Sequence, residues 1–138
     1  LNKISGPLLD RIDLHVEVTP VKFEEISKDD PAESSEAIRQ RVLQARRIQL
    51  ERFAETSHVH NNAQMGSKQL RSVCKLNAEG RQMLEVAMER MSLSARAYDR
   101  ILKVARTIAD LDQAVDVSLA HLGEAIQYRS LDRGDWGE

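Results

Sequence analysis

Ser94-Ala95-Arg96-Ala97-Tyr98-Asp99-Arg100-Ile101-Leu102-Lys103-Val104-Ala105-Arg106-Thr107-Ile108-Ala109-Asp110-Leu111 decides the fold class. Ala97, Tyr98, Ile101, Leu102, Ala105, Ile108 and Ala109 recur at three- and four-residue steps, which puts them on one face of an α-helix. Ser94 stands where an N-cap hydroxyl meets the first free amides. A helix with one apolar stripe must bury it against other elements, and its neighbours offer similar surfaces. Asn77 caps a helix to about Arg90, with Met83, Leu84, Ala87, Met88 and Met91 inward. Asp116 or Ser118 opens a last helix with Leu119, Leu122, Ala125 and Ile126 inward. Upstream, Ser67 caps a short helix through Cys74, and Ser34 or Ser35 caps a long one to about Glu55. That long helix has Ile38, Val42 and Ala45 as its stripe, with Leu43 and Leu50 beside it. Its other face carries Arg39, Arg41, Arg46, Arg47 and Arg52. Residues 56–66 read as a polar loop. About five helices with short connections predict a mainly α fold, a helical bundle.

The N-terminal segment reads differently. Ile12, Leu14, Val16 and Val18 alternate with Asp13, His15, Glu17 and Thr19, the period of a half-buried β-strand. Gly6-Pro7 marks a turn before it and Pro20 stops it. No other segment reads as a partner, and a lone strand leaves its ladder groups unpaired. The strand is therefore expected to be a single leftover from a sheet in a longer chain, and the opening residue, Leu1 rather than Met, agrees with an excised piece. Residues 27–35 are polar with one Pro and read as a linker, and residues 130–138 read as a frayed polar tail.

Composition sets limits on function. The chain has 138 residues, a formal net charge of -2 and 4% aromatics, so it has neither a global basic field nor a base-stacking platform. A single cysteine, Cys74, rules out an internal disulfide framework and fits a reducing cytoplasm; it reads as a small apolar helix residue rather than a reactive thiol. There is no signal peptide and no apolar run long enough to span a bilayer. Neither GxxxxGK[ST] nor GxGxxG occurs, and no acidic pair follows an apolar strand, so a complete ATPase site is missing. His58 and His60 lack the further ligands that zinc needs, and no metal site is expected. His15 and His121 read as structural or surface residues, and no Ser/His/Asp or Cys/His arrangement suggests nucleophilic catalysis.

Two arginines stand out. Arg11 sits at the turn into the strand, flanked by Asp10 and Asp13, either of which could neutralise it. Arg96 sits in the first turn of the helix that Ser94 opens, where free backbone amides also welcome a phosphate. The stretch Ile4-Ser5-Gly6-Pro7-Leu8-Leu9-Asp10-Arg11-Ile12-Asp13-Leu14-His15-Val16-Glu17-Val18 resembles the signature after sensor 1 in the magnesium-chelatase-like AAA+ ATPases, most closely the ComM (YifB-type) competence group. The block from Ser92 to Leu111 resembles the sensor-2 helix of that family. The run His121-Leu122-Gly123-Glu124-Ala125-Ile126-Gln127-Tyr128-Arg129 also fits, and Asn61-Asn62-Ala63 is a weaker match.

The resemblance implies a division at residue 30: residues 1–30 as the end of the AAA+ core plus linker, 31–130 as the helical lid, and 131–138 as a flexible tail. It implies that Arg11 is an arginine finger acting in trans on a neighbouring subunit's ATP. Arg96 is then the sensor-2 arginine that reaches the ATP phosphates. ATP and Mg2+ are implied for the full-length protein, with none expected bound to this fragment, which would be inactive alone. The implied partners are the ATPase core of the same chain, a homo-oligomeric ring, expected to be a hexamer, and DNA, with a branch-migration, helicase-like role. A chelatase subunit for porphyrin metallation is the rival within the class. A helical interaction module binding protein or nucleic acid through the 39–52 arginine face is the rival outside it, set against pairing of those arginines with Glu36, Glu51 and Glu55.

Overall fold

The computed structural model describes residues 4–129. Within them the chain forms α1 (Gly6–Leu9), α2 (Phe23–Ile26), α3 (Ser35–Arg52), α4 (Ser67–Val73), α5 (Ala78–Arg90), α6 (Ala95–Leu111) and α7 (Leu119–Gln127), with a 3-10 turn at Asn62–Gln64. The tail expected over 131–138 lies outside the described residues.

Four N-caps sit where the sequence puts them. The Oγ of Ser34 accepts from Ala37 N (3.1 Å) and that of Ser94 from Ala97 N (3.2 Å). Asn77 Oδ1 accepts from Gly80 N (2.8 Å), and Ser118 Oγ from His121 N (3.3 Å). Each satisfies one of the amides that a helix start leaves without an internal partner. Ser67 is not a cap: Gly66 precedes α4 and gives its amide to Gln69 Oε1 (3.1 Å), while the Ser67 hydroxyl donates to Asp99 Oδ2 (3.1 Å).

α6 is the spine, packing against α7, α3 and α4, while α5 packs on α7. Its stripe is buried as expected at Ala97, Ile101, Leu102, Ala105 and Ala109. Leu70 of α4, Leu84 of α5, Leu122 and Ala125 of α7, and Phe53, Val59 and Met65 from the connections complete the core. Burying such a side chain is worth about 1.5–3 kcal/mol, so this cluster supplies most of the drive to fold. α5 and α6 both end with a residue in the left-handed region, Ser92 (φ 49) and Gln113 (φ 55). In each case two amides turn back on the last carbonyls: Leu93 N to Met88 O (3.0 Å) and Ser92 N to Glu89 O (3.4 Å), then Ala114 N to Ala109 O (2.8 Å) and Gln113 N to Asp110 O (3.0 Å). These are Schellman ends, built here without the usual glycine.

Several expectations need correction. The predicted strand is not formed: residues 12–18 have no regular secondary structure, with a bend at Asp13, and the described residues contain no strand and no ladder. The alternation does not show in burial, because Asp13, Glu17 and Thr19 are exposed along with the apolar set. Ile12, Leu14, Val16 and Val18 are exposed and His15 is buried. The segment is held by His15, whose backbone N–H donates to Tyr128 O (2.7 Å). With no second strand to pair with, the apolar side has nothing to cover it. The stripe of α3 is also largely uncovered: Ala45 is buried, whereas Ile38, Val42, Leu43 and Leu50 are exposed. Of the residues expected inward on α5, Leu84 and Met91 are buried and Met83 is exposed. α1 is a short helix where the sequence reads as a turn at Gly6-Pro7, and α2 is a short helix in a stretch for which the sequence predicts no element.

A left-handed serine is strained by its Cβ, and glycine is not. Ser92→Gly should therefore raise the unfolding free energy by about 0.5–1 kcal/mol, net of glycine's larger unfolded-state entropy, as measured by urea denaturation.

Candidate functional site

Arg11 is presented by a tight turn. Ser5 Oγ accepts from Leu8 N (3.3 Å), Pro7 opens α1, and Arg11 N and Ile12 N fold back on Leu8 O and Leu9 O (both 3.1 Å). The Arg11 side chain is exposed and makes no ion pair or hydrogen bond with any described residue. Asp13, one of its two candidate neutralisers, is engaged elsewhere: it forms an ion pair with Nη1 of Arg100. Arg96, in the first turn of α6, is exposed and equally without a side-chain partner among the described residues. Arg100 lies one helical turn beyond Arg96 on the same side of α6. The Asp13–Arg100 pair therefore fastens the Arg11 turn to the side of α6 that carries Arg96. A groove of about 1010 Å³ runs between α6, α7 and Leu14, with Arg100, Lys103 and His121 in its walls. Arg11 and Arg96 do not line it.

A second polar centre, which sequence reasoning missed, lies inside the body. Asp110 is fully buried and its carboxylate accepts four hydrogen bonds. Arg52 grips it bidentately, Nη2 to Oδ1 at 2.6 Å and Nη1 to Oδ2 at 2.8 Å. Arg106 Nε donates to Oδ1 (3.2 Å) and Asn62 Nδ2 to Oδ2 (2.8 Å). Asn62 also accepts from Arg52 Nη1 (2.9 Å) and donates to Thr107 Oγ1 (3.0 Å), while its amide donates to Gln49 Oε1 (2.9 Å). The remaining donors of Arg106 go to Ala114 O (2.7 Å) and Val115 O (2.9 Å). The network joins the end of α3, the 3-10 turn, α6 and the α6–α7 connection. The available signal was Arg106 and Asp110, four residues apart and interleaved with the buried Leu102, Ala105 and Ala109. An ion pair at that spacing on the core side of a helix is structural.

The arginine face of α3 breaks up accordingly. Arg52 turns inward to Asp110 and Arg41 pairs with Glu33, leaving Arg39, Arg46 and Arg47 exposed. Glu36 bonds Gln40 (2.8 Å), not an arginine. His121 is a buried structural residue: Nδ1 accepts the Ser118 amide (3.0 Å) and Nε2 meets Asp112 Oδ2 (2.9 Å). No group of three or more His, Cys, Asp or Glu side chains that could hold a metal ion gathers among the described residues. Cys74 is buried against α6, its Sγ 3.6 Å from Leu102 O. Burial raises its thiol pKa from 9.0 to about 11, against the smaller opposing pull of Arg106 and Arg52.

Residues 32–129 match the family model described as magnesium chelatase, subunit ChlI C-terminal. The chain is 43% identical over 134 residues to the uncharacterized protein YifB of Escherichia coli K12, covering 96% of this chain and 26% of that protein. It is 42% identical over 134 residues to the competence protein ComM of Haemophilus influenzae, covering 96% and 25%. The uncharacterized protein Rv2897c of Mycobacterium tuberculosis is 33% identical over 129 residues, covering 94% and 25%. The chain thus spans about a quarter of the length of the curated relatives it matches.

Asp110→Ala leaves the buried guanidinium of Arg106 and the half-buried one of Arg52 without their counter-charge and should cost about 3–5 kcal/mol in urea denaturation. Asn62→Ala removes a neutral donor and acceptor and should cost less, about 1–3 kcal/mol. A buried thiol of raised pKa is neutral in the native protein and ionises more readily once unfolded. Its stabilising contribution is complete below pH 9.0 and is lost as pH rises toward about 11. In native protein at pH 8, disulfide-exchange labelling of Cys74 should therefore run at the unfolding rate, with rapid labelling only in denaturant.

Proposed function

The chain belongs to the magnesium chelatase subunit ChlI C-terminal family, a C-terminal domain of AAA+ ATPases, and on that premise we propose that it is the lid of a ComM/YifB-type ATPase that couples ATP hydrolysis to remodelling of DNA. Arg11 acts in trans as the arginine finger on ATP held by a neighbouring subunit. Arg96 acts as the sensor-2 contact to ATP phosphate. A guanidinium fixed where charge builds on a transferring phosphoryl group stabilises the transition state more than the ground state, so it raises the rate rather than only the affinity.

The observation that carries this reading is that both guanidiniums are free of any described residue. Arg11 and Arg96 are exposed and without partners among the described residues, while Asp13, near Arg11 in sequence, is held by Arg100. Donors already engaged inside the protein could not turn to a phosphate. ATP and its Mg2+ belong to the full-length protein. The described residues supply no cluster of metal ligands and the sequence has no phosphate loop, so both would be held by residues outside this chain. The partners in this reading are the ATPase core of the same chain, further copies in a ring, taken to be a hexamer, and DNA bound by the whole assembly. The site of action is the cytoplasm; no described helix is long and apolar enough to cross a membrane.

A second reading, a chelatase subunit for porphyrin metallation, is favoured by the name of the matching family. The ComM/YifB relatives match over 96% of the chain, which favours the first. Stimulation of ATP turnover in the complete protein by branched DNA, and not by a chelatase partner subunit, distinguishes them.

In the complete protein, Arg11→Ala should lower kcat for ATP by roughly 10³ or more, the scale of other arginine fingers. Arg96→Ala should also slow turnover. Calorimetric titration of residues 1–138 with ATP should show no tight binding, and submicromolar affinity for this chain alone would contradict the half-site reading.

A further inference from the structure

Arg129 is fully buried, yet it follows the last turn of α7 at the edge of the helical body. Its guanidinium reaches back to the N-terminal segment, where Nη1 donates to Ile12 O and Nη2 to Leu9 O (3.2 Å). These acceptors lie 117 and 120 residues away in sequence and flank Arg11. The adjoining residue takes part as well, for Tyr128 O accepts the backbone amide of His15 (2.7 Å). The imidazole Nε2 of His15 also meets Leu9 O (3.2 Å).

A buried guanidinium is tolerated only when its donors find acceptors, and carbonyls at a turn are fixed acceptors that carry no counter-charge. The two facing N–H groups of a planar guanidinium are held in one fork, so meeting Leu9 O and Ile12 O together fixes the backbone between them. We propose that Arg129 is the positioning residue for Arg11, clamping its turn onto the end of α7. α7 packs on α6, and α6 carries Arg96 and, through Arg100, a second hold on the same segment at Asp13. Arg11 and Arg96 then move as one body with the lid, and a change in lid position delivers or withdraws both charges together. This rests on the reading of Arg11 as the finger. It adds that the finger is held by the lid and not by the segment from Val16 onward, whose residues through Ser34 are all exposed.

Arg129→Lys keeps charge and most of the volume but loses the rigid planar fork that holds the two carbonyls in one geometry. In the 138-residue chain, amide hydrogen exchange of residues 9–15 should quicken at least tenfold while amides in the middle of α6 stay protected. In the complete ATPase the same change should lower kcat toward the Arg11→Ala level with KM for ATP unchanged, and the double variant should lose nothing further. If Arg129→Lys does not fold, His15→Ala loosens the hold on Leu9 O and is read the same way. Unaltered exchange over residues 9–15 in a folded variant overturns the clamp, as does a double variant whose loss is the product of the two single ones. Undiminished turnover in Arg11→Ala overturns the finger reading, and the positioning role with it, whatever the exchange shows.

Discussion

A carboxylate buried between two guanidiniums sets the geometry of the molecule. Asp110 has no contact with water, and four donors from Arg52, Arg106 and Asn62 replace its hydration. Removing two cations and an anion from water is expensive, and their attraction offsets the cost only when every donor and acceptor is met at good distance. The network meets that condition by recruiting the carbonyls of Ala114 and Val115 for the second arginine and Gln49 for the Asn62 backbone. The demand for complete pairing has a structural consequence. α6 cannot rotate about its axis or slide along α3 without breaking several of these bonds at once. The direction in which its other end presents Arg96 and Arg100 is therefore fixed by chemistry at Asp110, near the far end of the same helix.

Apolar packing supplies the drive, and the polar network supplies the register. The stripe of α6 is small where neighbours come close, at Ala97, Ala105 and Ala109, and large at Ile101 and Leu102, so helices on more than one side share it. Other apolar surface is left over. Val16, Val18, Val21, Phe23 and Ile26 are exposed on the N-terminal segment, and Ile38, Val42, Leu43 and Leu50 on α3. Hydrophobic burial is not directional, and a stripe is covered only if something is there to cover it.

That limit explains how much could be read from the sequence. Caps were legible because the side chain and the amide it satisfies are three residues apart: Ser34, Asn77, Ser94 and Ser118 need no tertiary information. The α6 stripe was legible because it is long and periodic. The strand was not, because a period of two shows only that two sides differ, whereas a strand also needs a partner to pair with, and none is present among the described residues. His15 alone is buried in residues 12–19, and its backbone bond goes to Tyr128, more than a hundred residues away in sequence. The arginine face of α3 failed for a different reason. Arg52 follows the buried Ala45 and Gln49 by seven and three residues, so it lies on the inward side of the helix and not with Arg39, Arg46 and Arg47, and there it meets Asp110. Asn62 lies in a loop that sequence similarity marked only weakly, yet it is among the most buried residues of the chain.

The arginines make the general point. Arg52 and Arg106 face a carboxylate, Arg129 faces backbone carbonyls, and Arg11 and Arg96 face no described residue. The side chain is the same throughout, always charged and carrying five donors in a fixed fork. What differs is whether those donors are already engaged when a ligand arrives. An engaged guanidinium would have to surrender native hydrogen bonds to reach a phosphate, whereas a free one exchanges only water. Having its donors free is therefore a physical requirement for a phosphate-contacting arginine, and it is met by the surroundings rather than by the residue itself. At Arg11 the surroundings do two things: Arg100 draws off Asp13, and Arg129 holds the backbone on either side. A charge kept free on a backbone kept still suits stabilisation of a transition state, because little reorganisation remains to be done when the phosphoryl group moves.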